Sequence, residues 1–268
     1  MVDLHSHILW AVDDGARSLA ESLAIGRSAS DAGVNVMVAT PHVRADDRSV
    51  DIRSLARRVQ NLNEALRVEG IPLVVETGAE VDASCLLTLA RDELELVALA
   101  RSRYVLVETP YERDPIAASF EPLVRHAIGL GIRPVLAHPE RNPGLATIQL
   151  VEGLVAAGAL VQVTAASLSG EFGARARLYA LELIRAGLAH VIASDVHRPG
   201  SRLAALAELG RANAAGLGPE LVQRLSSLLE EIPAAVVADE DVRGPLPPLQ
   251  DRSRSRWGRR LQSVLTQR

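Results

Sequence analysis

The chain has 268 residues, a length that suits a single large α/β unit and does not require two domains. Hydrophobic residues make up 48% and charged residues 23%, a composition typical of a folded globular protein that excludes a largely disordered one. The net charge of −4 argues against nucleic acid as a partner, and the single cysteine, Cys85, excludes an intramolecular disulfide or a thiolate metal cluster and favours the reducing cytoplasm.

Short β-branched runs alternate with longer segments of helical periodicity along the whole chain. Short runs that are apolar on both faces are typical of strands in a parallel sheet. The predicted strands cover residues 2–5, 34–42, 73–81, 104–110, 133–139, 160–165 and 190–197.

Helices are predicted between these strands, and each helical segment ends at a glycine, a residue suited to a helix C-terminus. The predicted helical segments are 18–33, 51–70, 120–131, 144–158 and 173–187. Regular alternation of strand and helix favours an α/β barrel. No segment reaches the ~20 apolar residues of a membrane span, and no signal-peptide pattern precedes the first strand, so we expect a cytoplasmic protein.

Ionisable side chains recur at the carboxyl ends of the predicted strands, the face on which α/β barrels place their chemistry. Side chains two apart on a strand point the same way, so His5 and His7 form one pair of candidate ligands. Asp195 and His197 form another pair for the same reason. The candidates, from six strand ends and the first loop, are His5, His7, Asp14, His42, Glu80, Glu108, His138, Asp195 and His197.

A single histidine at a strand end is more often a structural group, but the recurrence at six strand ends favours a metal centre. Imidazole and carboxylate ligands without thiolate suit Mn, Zn or Fe. Four of the candidates are carboxylates, whose mutual repulsion two divalent ions would neutralise. A third ion leaves the site positive and attractive to a phosphate dianion, so the sequence predicts three divalent ions per chain.

Motifs spread along the chain carry a family resemblance: DLHSH followed by DDGA, then ATPH, GAEV, VETP, LAHPER, TAASLSGEFG and ASDVH. Together they resemble the PHP-domain phosphoesterases and, within them, the bacterial protein-tyrosine phosphatases of the capsular-polysaccharide type. The resemblance spans residues 1–232. It implies a distorted seven-stranded barrel, a trinuclear cluster often active with manganese, and phosphotyrosine as substrate.

The resemblance also distributes the candidate ligands among the ions. Carried over by position, with Glu80 shared between the first and the second ion, the groups are His5, His7, Glu80 and Asp195; Glu80, Glu108 and His138; and Asp14, His42 and His197. Asp13 is expected beside a ligand, which it would orient, with an exchange of roles between Asp13 and Asp14 as the alternative.

Substrate phosphate is expected to meet Arg141, which follows the ligand His138 by three residues. A guanidinium can donate to two phosphate oxygens and neutralise charge that develops during the displacement. The alternative for Arg141 is a bond to a loop carbonyl or a surface acid. Arg202 is the expected second clamp, whereas Arg198 stands where the family more often has asparagine, which leaves its role open. Trp10 is expected either to stack on the tyrosyl ring at the substrate rim or to pack within its loop.

The expected mechanism is attack of a metal-bound hydroxide on phosphorus, with Arg141, Asp195 and His197 as the catalytic candidates. A cysteine nucleophile is not expected, because Cys85 lacks the arginine-bearing phosphate loop of the cysteine phosphatases. His126 falls on a helix and His190 begins a strand, so both are expected to be structural.

The C-terminal end differs in composition, so residues 1–242 are expected to form the phosphoesterase domain and residues 243–268 a Pro/Arg-rich tail. Residues 251–268 contain six arginines against one aspartate, and an amphipathic spacing is carried by Trp257, Leu261, Val264 and Leu265. Two interpretations stay open: a disordered tail, or an element that docks an acidic partner or an anionic membrane surface.

Three functions remain open from the sequence. The expected one is hydrolysis of phosphotyrosine in the tail of a bacterial tyrosine kinase that controls capsule and exopolysaccharide synthesis. The alternatives are a small-molecule phosphatase acting on histidinol phosphate or a nucleotide, and a metal-binding regulatory module without turnover. The full set of nine candidate ligands argues against the last alternative, because a binding module could lose ligands freely.

Overall fold

Short parallel strands alternate with helices through most of the chain. The structure is a computed structural model that describes residues 1–45, 50–108, 120–145, 147–211 and 219–249. Its strands are Val2–Ser6 (β1), Val36–Ala39 (β2), His42–Val43 (β3), Val74–Thr77 (β4), Glu80–Asp82 (β5), Tyr104–Glu108 (β6), Arg133–Ala137 (β7), Leu160–Thr164 (β8) and Val191–Ala193 (β9).

The helices include all five predicted ones, each of which begins and ends within its predicted segment. The helices are Leu19–Asp31 (α1), Leu55–Val68 (α2), Arg91–Val97 (α3), Phe120–Gly129 (α4), Ile148–Ala156 (α5), Ala165–Ser169 (α6), Gly173–Ala186 (α7), Ser201–Arg211 (α8), Pro219–Ser226 (α9) and Ile232–Val237 (α10). No helix in the described ranges is both long and apolar enough to cross a membrane.

The strands form two parallel sheets, with the orders β1-β2-β4 and β3-β5-β6-β7-β8-β9. The parallel α/β architecture is therefore as predicted. The distorted seven-stranded barrel is not confirmed. In the described part of the chain the strands form no closed barrel, because the second and third predicted strands are each split in two and the halves belong to different sheets. The first split falls at Pro41, which has no N–H to donate to a ladder.

The two sheets come together at β1 and β9. A single parallel bridge links Ser6 to Val196, flanked by hydrogen bonds from the His7 N–H to the Val196 carbonyl (2.8 Å) and from the Asp195 N–H to the His5 carbonyl (2.9 Å). This contact brings the carboxyl end of the first strand beside the carboxyl end of the last one.

Side chains alternate between two apolar layers, as expected for strands that are buried on both faces. On β6, Tyr104 and Leu106 face an inner cluster that also contains Val236 of α10, whereas Val105 and Val107 pack in the larger cluster that includes residues of the surrounding helices. Helix α10 thus contributes to the inner core, while polar side chains collect at the carboxyl ends of the strands.

The first residues of the predicted tail lie against the body of the protein. The Leu246 N–H donates to the carbonyl of Gly187 at the end of α7 (2.8 Å), and the Leu249 N–H donates to the carbonyl of Arg185 (3.0 Å). Residues 250–268, with the predicted amphipathic spacing, lie outside the described residues.

Candidate metal centre

All nine predicted ligands lie together at the edge formed by the carboxyl ends of the strands, with His42 and Glu80 just past β2 and β4 as the first residues of β3 and β5. Their ligand atoms fall into groups in which all members lie within 4.8 Å of one another: His7, Asp14, His42 and His197; His5, Glu80 and His138; His5, His7 and Asp195; His42, Glu80 and Glu108. Because neighbouring groups share His5, His7, His42 and Glu80, they form one continuous centre.

The innermost part of the centre is formed around two histidines, His5 on β1 and His7 directly after it. Their Nε2 atoms lie 3.2 Å apart, and His5 Nε2 also lies 3.2 Å from Glu80 Oε2 and 3.4 Å from Asp195 Oδ1. All four side chains are buried. Two imidazoles and two carboxylates that converge without solvent form a donor set that suits a divalent transition metal.

Hydrogen bonds on the far side of each ring determine how His7 and His5 face the centre. His7 Nδ1 lies 2.6 Å from Asp13 Oδ2, a carboxylate that can only accept, so Nδ1 carries the proton. The backbone N–H of His138 donates to Gln162 Oε1 (3.2 Å), so His5 Nδ1, 3.1 Å from the same oxygen, must donate as well. Both rings therefore turn Nε2 toward the centre, the nitrogen that would bind a metal ion once any proton on it is released.

The loop that carries Asp13 packs tightly against β1. A Cβ added at Gly15 would lie 2.2 Å from the His7 carbonyl oxygen, so only glycine fits there. Asp13 also accepts hydrogen bonds from the Gly15 N–H (2.9 Å) and the His42 N–H (3.1 Å). Asp13 thus lies behind the ligands, as expected, while the largely exposed Asp14 faces His197 Nε2 at 3.5 Å.

Glu80 connects the inner and outer parts of the centre. Its Oε1 lies 2.9 Å from His138 Nε2, and its Oε2 lies 3.2 Å from His42 Nδ1. The second pair is not aligned for a hydrogen bond, so both of these buried atoms lack a hydrogen-bond partner. Unpartnered buried donors and acceptors are costly, and a cation between them would satisfy both. The residues present therefore fit bound metal.

Two of the ligands have left-handed backbone conformations, His138 at φ 33° and Asp195 at φ 52°. Such conformations are strained for residues other than glycine and cluster at functional sites. His138 directly follows β7, and Asp195 lies two residues beyond the end of β9. The turn of the backbone at each residue directs its side chain into the centre.

Opposite charges balance in the innermost part. Burial alone would lower the pKa of His5, but Glu80 and Asp195 hold it above its ordinary value. Burial also opposes protonation of His7, yet the hydrogen bond to Asp13 raises the pKa of His7 well above its usual range. The histidines in turn hold the pKa of Glu80 and Asp195 well below the ordinary values, against burial. The inner carboxylates are therefore ionised and attract cations.

The outer histidines behave in the opposite way. Burial lowers the pKa of His42, and burial together with the nearby His7 lowers that of His197 to about 4. Both imidazoles are therefore neutral at pH 7, the form that can bind a metal ion. Burial and the neighbouring Glu80 raise the pKa of Glu108.

Two arginines border the centre next to Asp195. Arg141 Nη1 lies 2.5 Å from Asp195 Oδ2, and Arg202 Nη1 lies 3.1 Å from the same oxygen. Arg198 lies elsewhere: it donates to the Gly15 carbonyl and pairs with Glu21 at 3.2 Å. Arg141 and Arg202 therefore lie at the centre, whereas the Arg198 side chain contacts the first loop and α1.

The remaining predicted residues make other contacts. Trp10 is partly buried and packs against the main apolar cluster. His126 is exposed on α4, and His190 is fully buried next to β9, where its Nδ1 accepts a hydrogen bond from the Val161 N–H (3.2 Å). Neither histidine belongs to the groups of potential ligands.

Phe172 is a residue of the site that sequence reasoning did not identify. Phe172 lies beneath both guanidinium groups, with the Arg141 Cζ 4.4 Å and the Arg202 Cζ 5.2 Å from the centroid of its ring. The only signal for it was the motif SGEFG, an aromatic residue in a turn directly after a strand end and a short helix.

Comparison of the sequence with protein families gives a match over residues 1–229 to the family described as Capsular polysaccharide synthesis, CpsB/CapC. Tyrosine-protein phosphatase YwqE of Bacillus subtilis (strain 168) is 35% identical over 203 residues, 75% of this chain and 79% of YwqE. Tyrosine-protein phosphatase CpsB of Streptococcus pneumoniae is 30% identical over 212 residues, 75% of this chain and 85% of CpsB.

Solved structures agree. A chain from the crystal structures of YwqE from Bacillus subtilis and CpsB from Streptococcus pneumoniae, described as unique metal-dependent tyrosine phosphatases, superposes with a TM-score of 0.78 at 31% identity, covering 93% of this chain and 100% of that one. N-isopropylammelide isopropylaminohydrolase from Burkholderia multivorans ATCC 17616 superposes with a TM-score of 0.53 at 16% identity, covering 92% and 76%, which shows a shared fold alone.

Proposed function

The chain belongs to the CpsB/CapC family of capsular polysaccharide synthesis, and because its relatives YwqE and CpsB are tyrosine-protein phosphatases, we propose that it is a metal-dependent protein-tyrosine phosphatase. The observation that carries this proposal is the convergence of histidine and carboxylate ligands beside two arginines. Metal ligands next to guanidinium groups are what hydrolysis of a phosphate ester requires.

The nine ligands would hold the ions in the groups that the geometry supports. His5, His7 and Asp195 would bind one ion. Glu80 would bind a second ion, and the group that contains Asp14, His42 and His197 would bind a third. Divalent ions bound there would supply Lewis acidity toward the phosphoryl group and lower the pKa of the attacking water. We further propose that three ions bind and that manganese is the working metal, because the resemblance to the capsular-polysaccharide phosphatases implies a trinuclear cluster often active with manganese, and a histidine and carboxylate set without thiolate suits that ion.

The arginines would recognise the phosphate. Arg141 and Arg202 both reach the Asp195 carboxylate, so an anion bound at the metals would lie within range of their forks. The guanidinium groups would bind phosphoryl oxygens and offset the charge that develops in the transition state. The tyrosyl oxygen leaves with a pKa of about 10 and needs little help from an acid. Asp195, which is ionised, and His197, which is neutral, would serve the reaction by holding the ions.

We also propose that the physiological substrate is a phosphotyrosine protein of the cytoplasm, namely the tail of a tyrosine kinase in capsule synthesis. The support is the description of the family and of the tyrosine phosphatases that this chain resembles.

The experiment removes metal with a chelator and restores Mn, Zn or Fe separately. The reconstituted protein is then assayed on a phosphotyrosine peptide, a phosphoserine peptide and histidinol phosphate. We expect metal-dependent turnover of the phosphotyrosine peptide above the other two substrates. Activity that survives exhaustive chelation would overturn the proposal, as would a clear preference for histidinol phosphate.

Matched histidine variants make this experiment specific to the centre. His42→Ala and His138→Ala should each lose bound metal and activity, whereas His126→Ala on the exposed face of α4 should lose neither. Equal losses in all three variants would point to a general folding defect and contradict the assigned centre.

A further inference from the structure

Phe172 lies where the two arginines of the site meet. The residue directly precedes α7, in the turn that follows α6, and its partly buried ring packs on the main apolar cluster. Arg141 comes from the turn after β7 and Arg202 from α8, so two guanidinium groups from separate elements share one aromatic ring. Guanidinium groups within about 6 Å of an aromatic centroid are held by the electron-rich face of the ring.

The turn that carries Phe172 is connected to the turn that carries Arg141. Glu140 is buried, and its Oε1 accepts hydrogen bonds from the Ser167 hydroxyl in α6 (2.7 Å) and from the Thr164 N–H (3.0 Å). In the Phe172 turn, the Glu171 N–H donates to the Ala166 carbonyl (3.1 Å). The ring and the Arg141 backbone are therefore held relative to each other.

The ring also addresses an electrostatic problem. The two guanidinium groups repel each other, yet both must stay within reach of the same oxygen of Asp195. Once Asp195 shares its charge with a metal ion, it offsets this repulsion less. An aromatic face does not compete for the metal and attracts both cations.

We propose that Phe172 is a positioning residue that holds Arg141 and Arg202 in place to bind the phosphate of the substrate, an inference that rests on the proposed phosphatase function. In this role Phe172 would contact neither the ions nor the reacting atoms. It acts through the two guanidinium groups, and an aromatic face is therefore the property that the position requires.

The test compares Phe172→Leu, which keeps an apolar side chain but removes the aromatic face, with Phe172→Trp, which keeps that face. Affinity for inorganic phosphate is measured by calorimetry on the manganese-loaded protein, and bound metal is counted by elemental analysis. We expect Phe172→Leu to weaken phosphate binding by about tenfold and to raise KM for a phosphotyrosine peptide similarly, with metal content unchanged. Phe172→Trp should stay within about threefold of the unaltered protein.

The other phenylalanine of the chain provides a matched control. Phe120 is buried in α4, so Phe120→Leu should lower the melting temperature and leave phosphate affinity unchanged. A double-variant cycle tests the route of action: in an Arg141→Ala, Arg202→Ala background, Phe172→Leu should have almost no further effect on phosphate affinity.

The outcomes separate the two proposals. Unchanged phosphate affinity and KM in Phe172→Leu would overturn the positioning role, and so would a full additional loss in the double-arginine background, while the phosphatase function would stand. If phosphotyrosine is not hydrolysed but Phe172→Leu still weakens binding of inorganic phosphate, the phosphatase function fails and the positioning role is supported.

Discussion

At the scale of single residues, the candidate metal centre depends on side chains that lie behind the predicted ligands. Asp13 and Gln162 each bond to the far nitrogen of a histidine and so determine which nitrogen of His7 and His5 faces the ligands. Because the proton is already on Nδ1, neither ring has to change tautomer when a metal binds. Partners of this kind orient ligands and increase their basicity.

Asp13→Asn tests this role directly. Asp13 accepts hydrogen bonds from three donors, the His7 Nδ1–H and the N–H groups of Gly15 and His42. Burial alone would raise the pKa of Asp13, but the hydrogen bond from His7 outweighs it and lowers the pKa to about 2. Asparagine has a single acceptor oxygen, so its NH₂ group would face a donor. We expect metal affinity to fall by about 10–100-fold, as measured by competition with a coloured chelator.

The control for this variant is Asp51→Asn, in which an exposed carboxylate that bonds the Arg53 N–H is neutralised away from the centre. Metal affinity should not change there. Unaltered metal affinity in Asp13→Asn would show that the tautomer of His7 does not depend on Asp13.

His190 makes a pH-dependent contribution to stability. Burial, with the nearby Arg133 and Arg224, lowers its pKa from 6.5 to about 4. As pH falls, the unfolded chain takes up this proton near pH 6.5, but the folded chain does so only near pH 4. The stabilisation is therefore present above pH 6.5 and lost between pH 6.5 and 4, by about 3 kcal/mol in total.

Urea unfolding of the chelated protein at several pH values measures this contribution. His190→Gln cannot titrate but keeps an acceptor for the Val161 N–H, so its free energy of unfolding should fall less steeply over this range. The histidines of the metal centre titrate in both proteins, and their effect cancels in the difference. Identical pH slopes would contradict the prediction.

How much of the site the sequence predicts depends on where each residue lies. Ligands at strand ends, such as Glu80 and His138, were predictable because parallel strands bring their carboxyl ends to one edge. The contacts of Arg198 and Phe172 were not, because they depend on the paths of loops. In this chain, the Arg198 guanidinium turns to the Gly15 carbonyl, a contact that no spacing in the sequence indicates.

At the scale of elements, alternation predicted every strand region but not the breaks within two of them. The run 34–42 was predicted as one strand, yet Pro41 separates β2 from β3, and Glu80 on the neighbouring strand donates its N–H to the Pro41 carbonyl (3.1 Å). Helix α3 was not predicted. It spans only seven residues, which are too few for a clear apolar period.

The end of α7 depends on one glycine. Gly187 adopts φ 78°, and a Cβ added there would lie 2.0 Å from the Leu246 carbonyl oxygen. Gly187→Ala should therefore push the segment 243–249 off α7 and strain the backbone. We expect a loss of at least about 2 kcal/mol in the free energy of unfolding, as measured by chemical denaturation.

Gly129→Ala is the matched control, because a Cβ added at this glycine at the end of α4 meets nothing within 4 Å. That substitution should be neutral or slightly stabilising. Equal stability of the Gly187 and Gly129 variants would show that the contact between Gly187 and Leu246 does not contribute to the fold.

At the scale of the whole molecule, the metal centre joins both sheets. Its predicted ligands lie on or after β1, which belongs to the three-stranded sheet, and on or after β3, β5, β6, β7 and β9, which belong to the six-stranded sheet. Bound ions would therefore connect strands of the two sheets. The sequence predicted this set of strand ends correctly. It could not predict that the strands divide into two sheets, because the hydrophobic pattern does not show to which neighbouring strand each strand is hydrogen-bonded.

Removal of metal should therefore destabilise the whole protein. A ligand at a thousand times its dissociation constant stabilises the native state by about 4 kcal/mol. For a domain of this size, each kcal/mol changes the melting temperature by about 2–4 °C, so chelation should lower it by about 10 °C, as measured by differential scanning fluorimetry. Readdition of manganese should restore it.

In a His42→Ala, His138→Ala double variant, chelation should have little effect, whereas His126→Ala should respond fully. An unchanged melting temperature of the unaltered protein after verified metal removal would mean that the ions do not hold the two sheets together.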